Sequence, residues 1–303
     1  MDVDVDENEV RTIMELGSCY EGGIDAIGGY LTPFGDYVSK RWPELTLLWY
    51  DCLPELERRQ GILMAIAAWK RIEKTPGYQR KKRFLKCLVG KELRLKIEID
   101  VKSVKYGGWC FIPDNLSQGS IVYSLGVGDN IEFDLALIRK YGVEVHAFDP
   151  SPPSIDMLGD RDLPSQFHFH TWAVAAEDGS LKLYPCARKD GSKSDIMYTI
   201  IAGDASVDDP IEVPAFSLSS ITTKLDHDRI DLLKIDIEGA EYEVLDALLA
   251  SDIKPTQLLV EFHHRFPGIG IEKTADLIKR LGDAGYKIFA ISDIGREVSF
   301  LRI

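Results

Sequence analysis

The chain has 303 residues, 45% hydrophobic and 28% charged, which is ordinary globular composition with apolar content for a large core. Its formal net charge of −13 excludes a uniformly basic nucleic-acid surface, because phosphate neutralisation needs the opposite sign. Five cysteines (Cys19, Cys52, Cys87, Cys110 and Cys186), odd in number and without a CxxC pair, predict reduced and mostly buried thiols.

The chain opens on MDVDVDENEV, acidic and without the basic start and apolar run of a signal peptide. The most apolar short run, residues 61–69 (GILMAIAAW), is too short to span a bilayer, so a soluble, cytoplasmic protein without a membrane partner is expected. Residues 1–90 show helical texture: Leu45, Leu48, Cys52 and Leu56 recur at helix-like intervals around Pro54, and 62–72 continues as a second helix. This segment is expected to be a helical extension or cap. A basic stretch follows, from Lys70 and Arg71 through Arg80, Lys81, Lys82, Arg83 and Lys86. It reads as a solvated helix face or, alternatively, as a docking surface for an anionic substrate.

From residue 91 to 303 the texture changes to strands alternating with helices. LRLKIEIDV alternates apolar and polar like a half-buried strand, and SIVYSLGVG is a strand entering a glycine turn. NIEFDLALIRKYG is a helix with Ile131, Leu135 and Ile138 on one face. VEVHAFD, FHFHTWAV, RIDLLKID and TQLLVEFHH are further strands, with a helix through Tyr242 to Leu249 and a long one over IEKTADLIKRLGDAG. YKIFAIS and EVSFLRI close the chain as an antiparallel edge hairpin. The pattern predicts an α/β fold: a doubly wound, mostly parallel seven-stranded sheet with helices on both faces.

Chemistry concentrates at the strand ends. The turn Ser124-Leu125-Gly126-Val127-Gly128-Asp129-Asn130 lets backbone approach a ligand, and the following helix offers free N–H groups. Asp149 closes the next strand about twenty residues later, the spacing at which an acid grips ribose hydroxyls. Asp149 and the turn are therefore expected to face each other across a nucleoside-sized gap. Pro150 and Ser151 then turn the chain. At the third strand's end Trp172 is a candidate to stack on a base and Ala173 to admit an adenine edge, though Trp172 reads equally as core. A dinucleotide fingerprint wants glycine where Ile131 stands, which disfavours NAD and a nicotinamide oxidoreductase.

The stretch LLKIDIEGAE carries Lys234, Asp236 and Glu238 on one side of a strand that should be apolar on both faces, near the edge where open α/β sheets bind ligands. A buried Lys234–Asp236 pair is the structural alternative. Here KIDIEGAEYEVL resembles the hallmark of FkbM-type methyltransferases and VEVHAFDPSP their second motif. YSLGVGDNIEFD and LVEFHHRF resemble the subgroup that includes the eukaryotic methyltransferase-like proteins, over roughly residues 104–292. The resemblance implies a class I methyltransferase fold, S-adenosylmethionine as cofactor, and O-methylation of a hydroxyl on a small molecule or glycan. It implies that Gly126 and Gly128 contact the methionine part, Asp149 the ribose, and that Asp236 and Glu238 border the transfer pocket. Many members carry an acid where Ser124 stands, and Asp129 is the expected substitute. An inactive binding or scaffold protein of the same fold is the alternative.

A hydroxyl acceptor needs a base, and His263, Asp236 or Glu238 is expected to supply it. Asp236, Glu238, Glu261 and His263 have the chemistry to converge as ligands, but no compact motif marks a metal site, and none is expected.

Overall fold

The computed structural model describes residues 71–303 except 160, 189–191, 204–205 and 267. The helical recurrences expected within 1–70, with Cys19 and Cys52, lie outside the described residues. The chain divides into two compact units, Met1–Gln79 and Arg80–Ile303. No helix among the described residues is long and apolar enough to cross a membrane.

In chain order the elements are α1 (Pro76–Leu88), β1 (Val104–Tyr106), β2 (Trp109–Phe111), β3 (Ile121–Leu125), α2 (Glu132–Tyr141), β4 (Glu144–Phe148), α3 (Pro152–Gly159), β5 (Phe167–His170), β6 (Ala173–Ala175), β7 (Gly179–Ala187), β8 (Lys193–Thr199), β9 (Ile211–Ser217), α4 (Leu218–Leu225), β10 (Leu232–Ile235), α5 (Glu241–Ala250), β11 (Gln257–Glu261), α6 (Gly270–Asp283), β12 (Tyr286–Ile291) and β13 (Glu297–Arg302). Seven strands form the main sheet in the order β12-β13-β11-β10-β3-β4-β5. The five from β11 to β5 run parallel, and β13 is antiparallel to both β11 and β12. The doubly wound sheet with a terminal hairpin is the expected architecture.

Its central strands are apolar on both faces because both are covered. One face packs Leu233, Ile235 and Val260 against Ile221 of α4, Leu245 of α5 and Leu277 of α6. The other packs Val122, Val145 and Leu232 against Phe133 and Leu137 of α2 and Leu158 of α3. The chain order reverses between β3 and β10, so their carboxyl ends open a crevice at the switch point.

Several expectations are corrected. LRLKIEIDV is not a strand: residues 93–103 hold no regular structure, and Glu98 N–H instead donates to the Ile288 carbonyl at 2.8 Å. FHFHTWAV breaks at Thr171, so β5 joins the main sheet while β6 joins a second, four-stranded sheet ordered β6-β9-β7-β8. The buried face of α2 is Phe133, Asp134, Leu137 and Ile138, with Leu135 only half-buried. Of the described cysteines Cys186 is buried, while Cys87 and Cys110 are half-buried; all three are free thiols.

Candidate functional site

The site begins where β3 ends. Gly126 donates its N–H to the Phe148 carbonyl, and Asp236 donates its own to the Leu125 carbonyl, so the turn is stitched to both neighbouring strands. Gly126 has φ +79, and a Cβ there would lie 1.7 Å from the Asp236 carbonyl oxygen; no side chain fits. Gly128 has φ +59 with open space where its Cβ would stand, while its N–H and carbonyl are taken by Asp149 and Ser154. Asp129 beside it is exposed. Ile131 is buried in the core, which leaves its bulk under the turn as expected from sequence.

Asp149 is 8% exposed and faces the turn, but at hydrogen-bond distance. Its Oδ2 accepts from Val127 N–H and Gly128 N–H, both at 3.0 Å, and from the Ser154 hydroxyl at 2.8 Å; its Oδ1 accepts from Ser151 N–H at 2.9 Å. No nucleoside-sized gap separates carboxylate and turn, which corrects that expectation: a short side chain at this position reaches the amides directly. A carboxylate has about four acceptor positions, so Oδ1 keeps capacity for a ligand. Ser151 is buried within this knot and Pro150 half-buried beside it.

Trp172 lies against His170 (ring centroids 4.8 Å) and edge-on to Phe216 (5.2 Å), half-buried at the rim of the core. Ala173 is buried in the small second core with Leu183 and Val213. The structure thus does not bring the Ala173 side chain to the glycine turn. Lys234 does not pair with Asp236. Its Nζ donates to the Gly126 carbonyl at 2.7 Å and sits 5.2 Å from the Trp109 ring centre, propping the turn from below.

Sequence reasoning missed Asp134, which lies fully buried on α2 near Ser124 and within the electrostatic reach of Lys234. Burial pushes the Asp134 carboxyl up, against the opposing pull of Lys234. An aspartate in step with Leu137 and Ile138 was the available signal.

The second half of the site follows β10. Glu241, fully buried in the first turn of α5, is its hub: its carboxylate accepts from Ile237 N–H (3.1 Å) and Gly239 N–H and lies 2.8 Å from His263 Nδ1. This folds IDIEGAE into a tight loop in which Glu238 takes φ +49, the left-handed region. The Glu238 carbonyl accepts from the Thr199 hydroxyl, tying β8 to the loop. His263, 4% exposed, follows β11, with Nε2 3.1 Å from Glu238 Oε2 and 3.9 Å from Glu261 Oε1. The Glu238 contact is close but misaligned, since its buried Oε2 has no hydrogen-bond partner. Arg296 in the terminal hairpin pairs with Glu261 at 3.1 Å.

Burial pulls the His263 imidazole down, but contacts with Glu238 and Glu241 outweigh it and lift it to about 11, so the ring is protonated at neutral pH. Burial raises Glu261 to about 7, helped by Asp236. Burial likewise raises Asp236, opposed by Lys234 and His263. Asp236, Glu238 and His263 offer ligand atoms all within 4.8 Å of one another. His264 belongs elsewhere: its Nε2 lies 2.7 Å from Glu92 Oε1, and Arg265 pairs with the same buried carboxylate. A surface cavity of about 340 Å³, lined by Asp129, Asn130, Glu132, Leu135 and Arg161, flanks the turn but includes none of these acids.

Residues 121–288, more than half of the chain, match the sequence profile of the Methyltransferase FkbM domain. The chain belongs to the FkbM methyltransferase family. Among curated relatives, human "Probable methyltransferase-like protein 24" is 26% identical over 193 residues, covering 60% of this chain and 45% of that protein. The rat protein of the same name is 28% identical over 198 residues, covering 60% and 46%. The chain therefore spans about half the length of the curated relatives it matches. A solved FkbM methyltransferase from Methylobacillus flagellatus aligns at 13% identity and TM-score 0.38, covering 61% of this chain and 44% of that one. At that score the likeness adds nothing to the strand order.

Proposed function

We propose that the chain is an S-adenosylmethionine-dependent methyltransferase acting on a hydroxyl of a small molecule or glycan. One observation carries this reading: at the switch point the glycine turn packs at Gly126 against the backbone carbonyl of Asp236, whose carboxylate clusters with Glu238 and His263. The turn suits the methionine part of the cofactor, and Asp149 both holds the turn and keeps Oδ1 for a ribose hydroxyl.

The cofactor would supply an activated methyl group. The methyl would pass from sulfur, which keeps the electrons of the broken bond, to the acceptor oxygen, and the hydroxyl proton would pass to the protein. An imidazolium has no free nitrogen to take it, so His263 is recast as an anchor for Glu238 and Glu241. Asp236 takes the base role: burial makes it a stronger proton acceptor than an ordinary aspartate, and among the described residues no side chain hydrogen-bonds or ion-pairs with it. Methyl-labelled S-adenosylmethionine tested against a panel of hydroxylated glycans and small molecules should yield labelled ether. Asp236→Asn should lower kcat by about 100-fold or more with cofactor affinity kept; undiminished turnover would remove Asp236 from the role.

A second reading, a binding protein that keeps the fold without turnover, draws on Asp149 being engaged by four protein donors. Cofactor binding without label transfer to any acceptor would favour it.

A further inference from the structure

Around His263 the structure gathers four carboxyl groups. Asp236, Glu238, Glu241 and Glu261 surround the imidazole, and Arg296 is engaged with Glu261. Glu241 spends its carboxylate on two backbone amides and on His263 Nδ1, all inside the protein. That leaves Asp236 and Glu238. Asp236 has no side-chain partner among the described residues, and the Glu238 Oε2 is buried without a hydrogen bond.

The imidazole is oriented like a metal ligand. A ligating histidine commonly gives its other ring N–H to a carboxylate, which fixes the tautomer and aims the free nitrogen. Glu241, fully buried, does this at Nδ1, so Nε2 of a side chain only 4% exposed is aimed at Glu238 without an aligned hydrogen bond, and a bound cation would displace the proton that Nε2 carries in its absence. The spacing also fits. With bonds of about 2.1 Å, two ligands of one octahedral ion stand about 3.0 Å apart when adjacent and about 4.2 Å apart when opposite. Nε2 and Glu238 Oε2 are 3.1 Å apart, and all three ligand atoms lie within 4.8 Å. Two carboxylates and one imidazole form a mixed oxygen and nitrogen set suited to first-row divalent ions of the manganese type.

We propose that Asp236, Glu238 and His263 bind one divalent cation, with manganese(II) as the representative ion. The assignment rests on the reading of this pocket as the methyl-transfer site only for its role: an ion there would hold the acceptor's oxygen and ease loss of its proton to the Asp236 oxygen that does not ligate it. Binding itself needs no cofactor.

The test uses the full chain, freed of metal with chelator. Loss of the free manganese(II) electron paramagnetic resonance signal should show one ion bound per chain. Asp236→Asn and His263→Gln, each checked for an unchanged circular dichroism spectrum, should each weaken binding at least tenfold. If one variant fails to fold, the other decides. Absence of a stoichiometric site in the wild-type chain, or unchanged affinity in the folded variants, overturns the proposal. S-adenosylhomocysteine is titrated in parallel against the metal-free chain. If S-adenosylhomocysteine binds but the chain takes up no manganese(II), the cation site is overturned and the methyltransferase reading stands. If manganese(II) binds but S-adenosylhomocysteine does not, the cation site stands and that reading is removed.

Discussion

At Gly126 a single carbon atom separates a working turn from a broken one. Because its Cβ would collide with the backbone oxygen of Asp236, Gly126→Ala must push β3 and β10 apart at their carboxyl ends. A loss of about 2 kcal/mol or more is expected, read as a lower denaturant midpoint together with lost S-adenosylhomocysteine binding. Gly128→Ala meets no atom and pays only for its left-handed backbone, about 1 kcal/mol; equal losses at the two positions would contradict the turn geometry described. Glu241→Gln removes the negative charge that His263 and two amides share, and breaking such a buried pair costs about 3 kcal/mol. Calorimetric unfolding checks it, and an unchanged melting temperature would show that Glu241 is no hub. At this scale the sequence was half legible. Asp236, Glu238 and His263 do converge, because alternation and strand-end position are written in residue order. Asp149 closing on the amides, and Asp134 arriving from a helix to stand near Ser124, depend on distances of an ångström or two that no spacing rule carries.

Titration belongs to whole elements, because strands and loops bring the groups together. Burial raises Glu92, but His264 and Arg265 outweigh it and bring it down to about 2. A carboxylate depressed in the folded state stabilises above its unfolded pKa, so this contribution is full above about pH 4.5 and is lost as pH falls toward 2. β4 and β5 work in a different window. Burial, aided by neighbouring imidazoles, lowers His146 to about 3 and His170 to about 4, and the two rings are joined at 3.1 Å. Unfolded histidine binds its proton near pH 6.5, so stability should begin to fall below that value and keep falling toward pH 4. Denaturant midpoints across pH 7 to 4 check this, with His170→Phe expected to flatten the slope; an identical slope in the variant would contradict it. The second sheet escaped sequence reading for a physical reason. β7 and β9 carry Pro185 and Pro214, which sequence rules treat as strand breakers, yet β9 alternates Ile211, Val213 and Ala215 into a small separate core.

The whole molecule was the most legible, since alternating apolar runs and helices admit few topologies. A doubly wound parallel sheet with a reversed terminal hairpin followed from that rhythm, while the order β12-β13-β11-β10-β3-β4-β5 came only with the structure. What this topology does for function is to set the glycine turn and the Asp236 loop side by side at one edge. Isothermal calorimetry of S-adenosylhomocysteine with the full chain tests that most directly. One site per chain is expected, with affinity weakened at least tenfold in Asp149→Asn, whose amide cannot accept from both turn amides and Ser151 as a carboxylate does. No heat and no thermal shift with the wild-type chain would contradict the cofactor site.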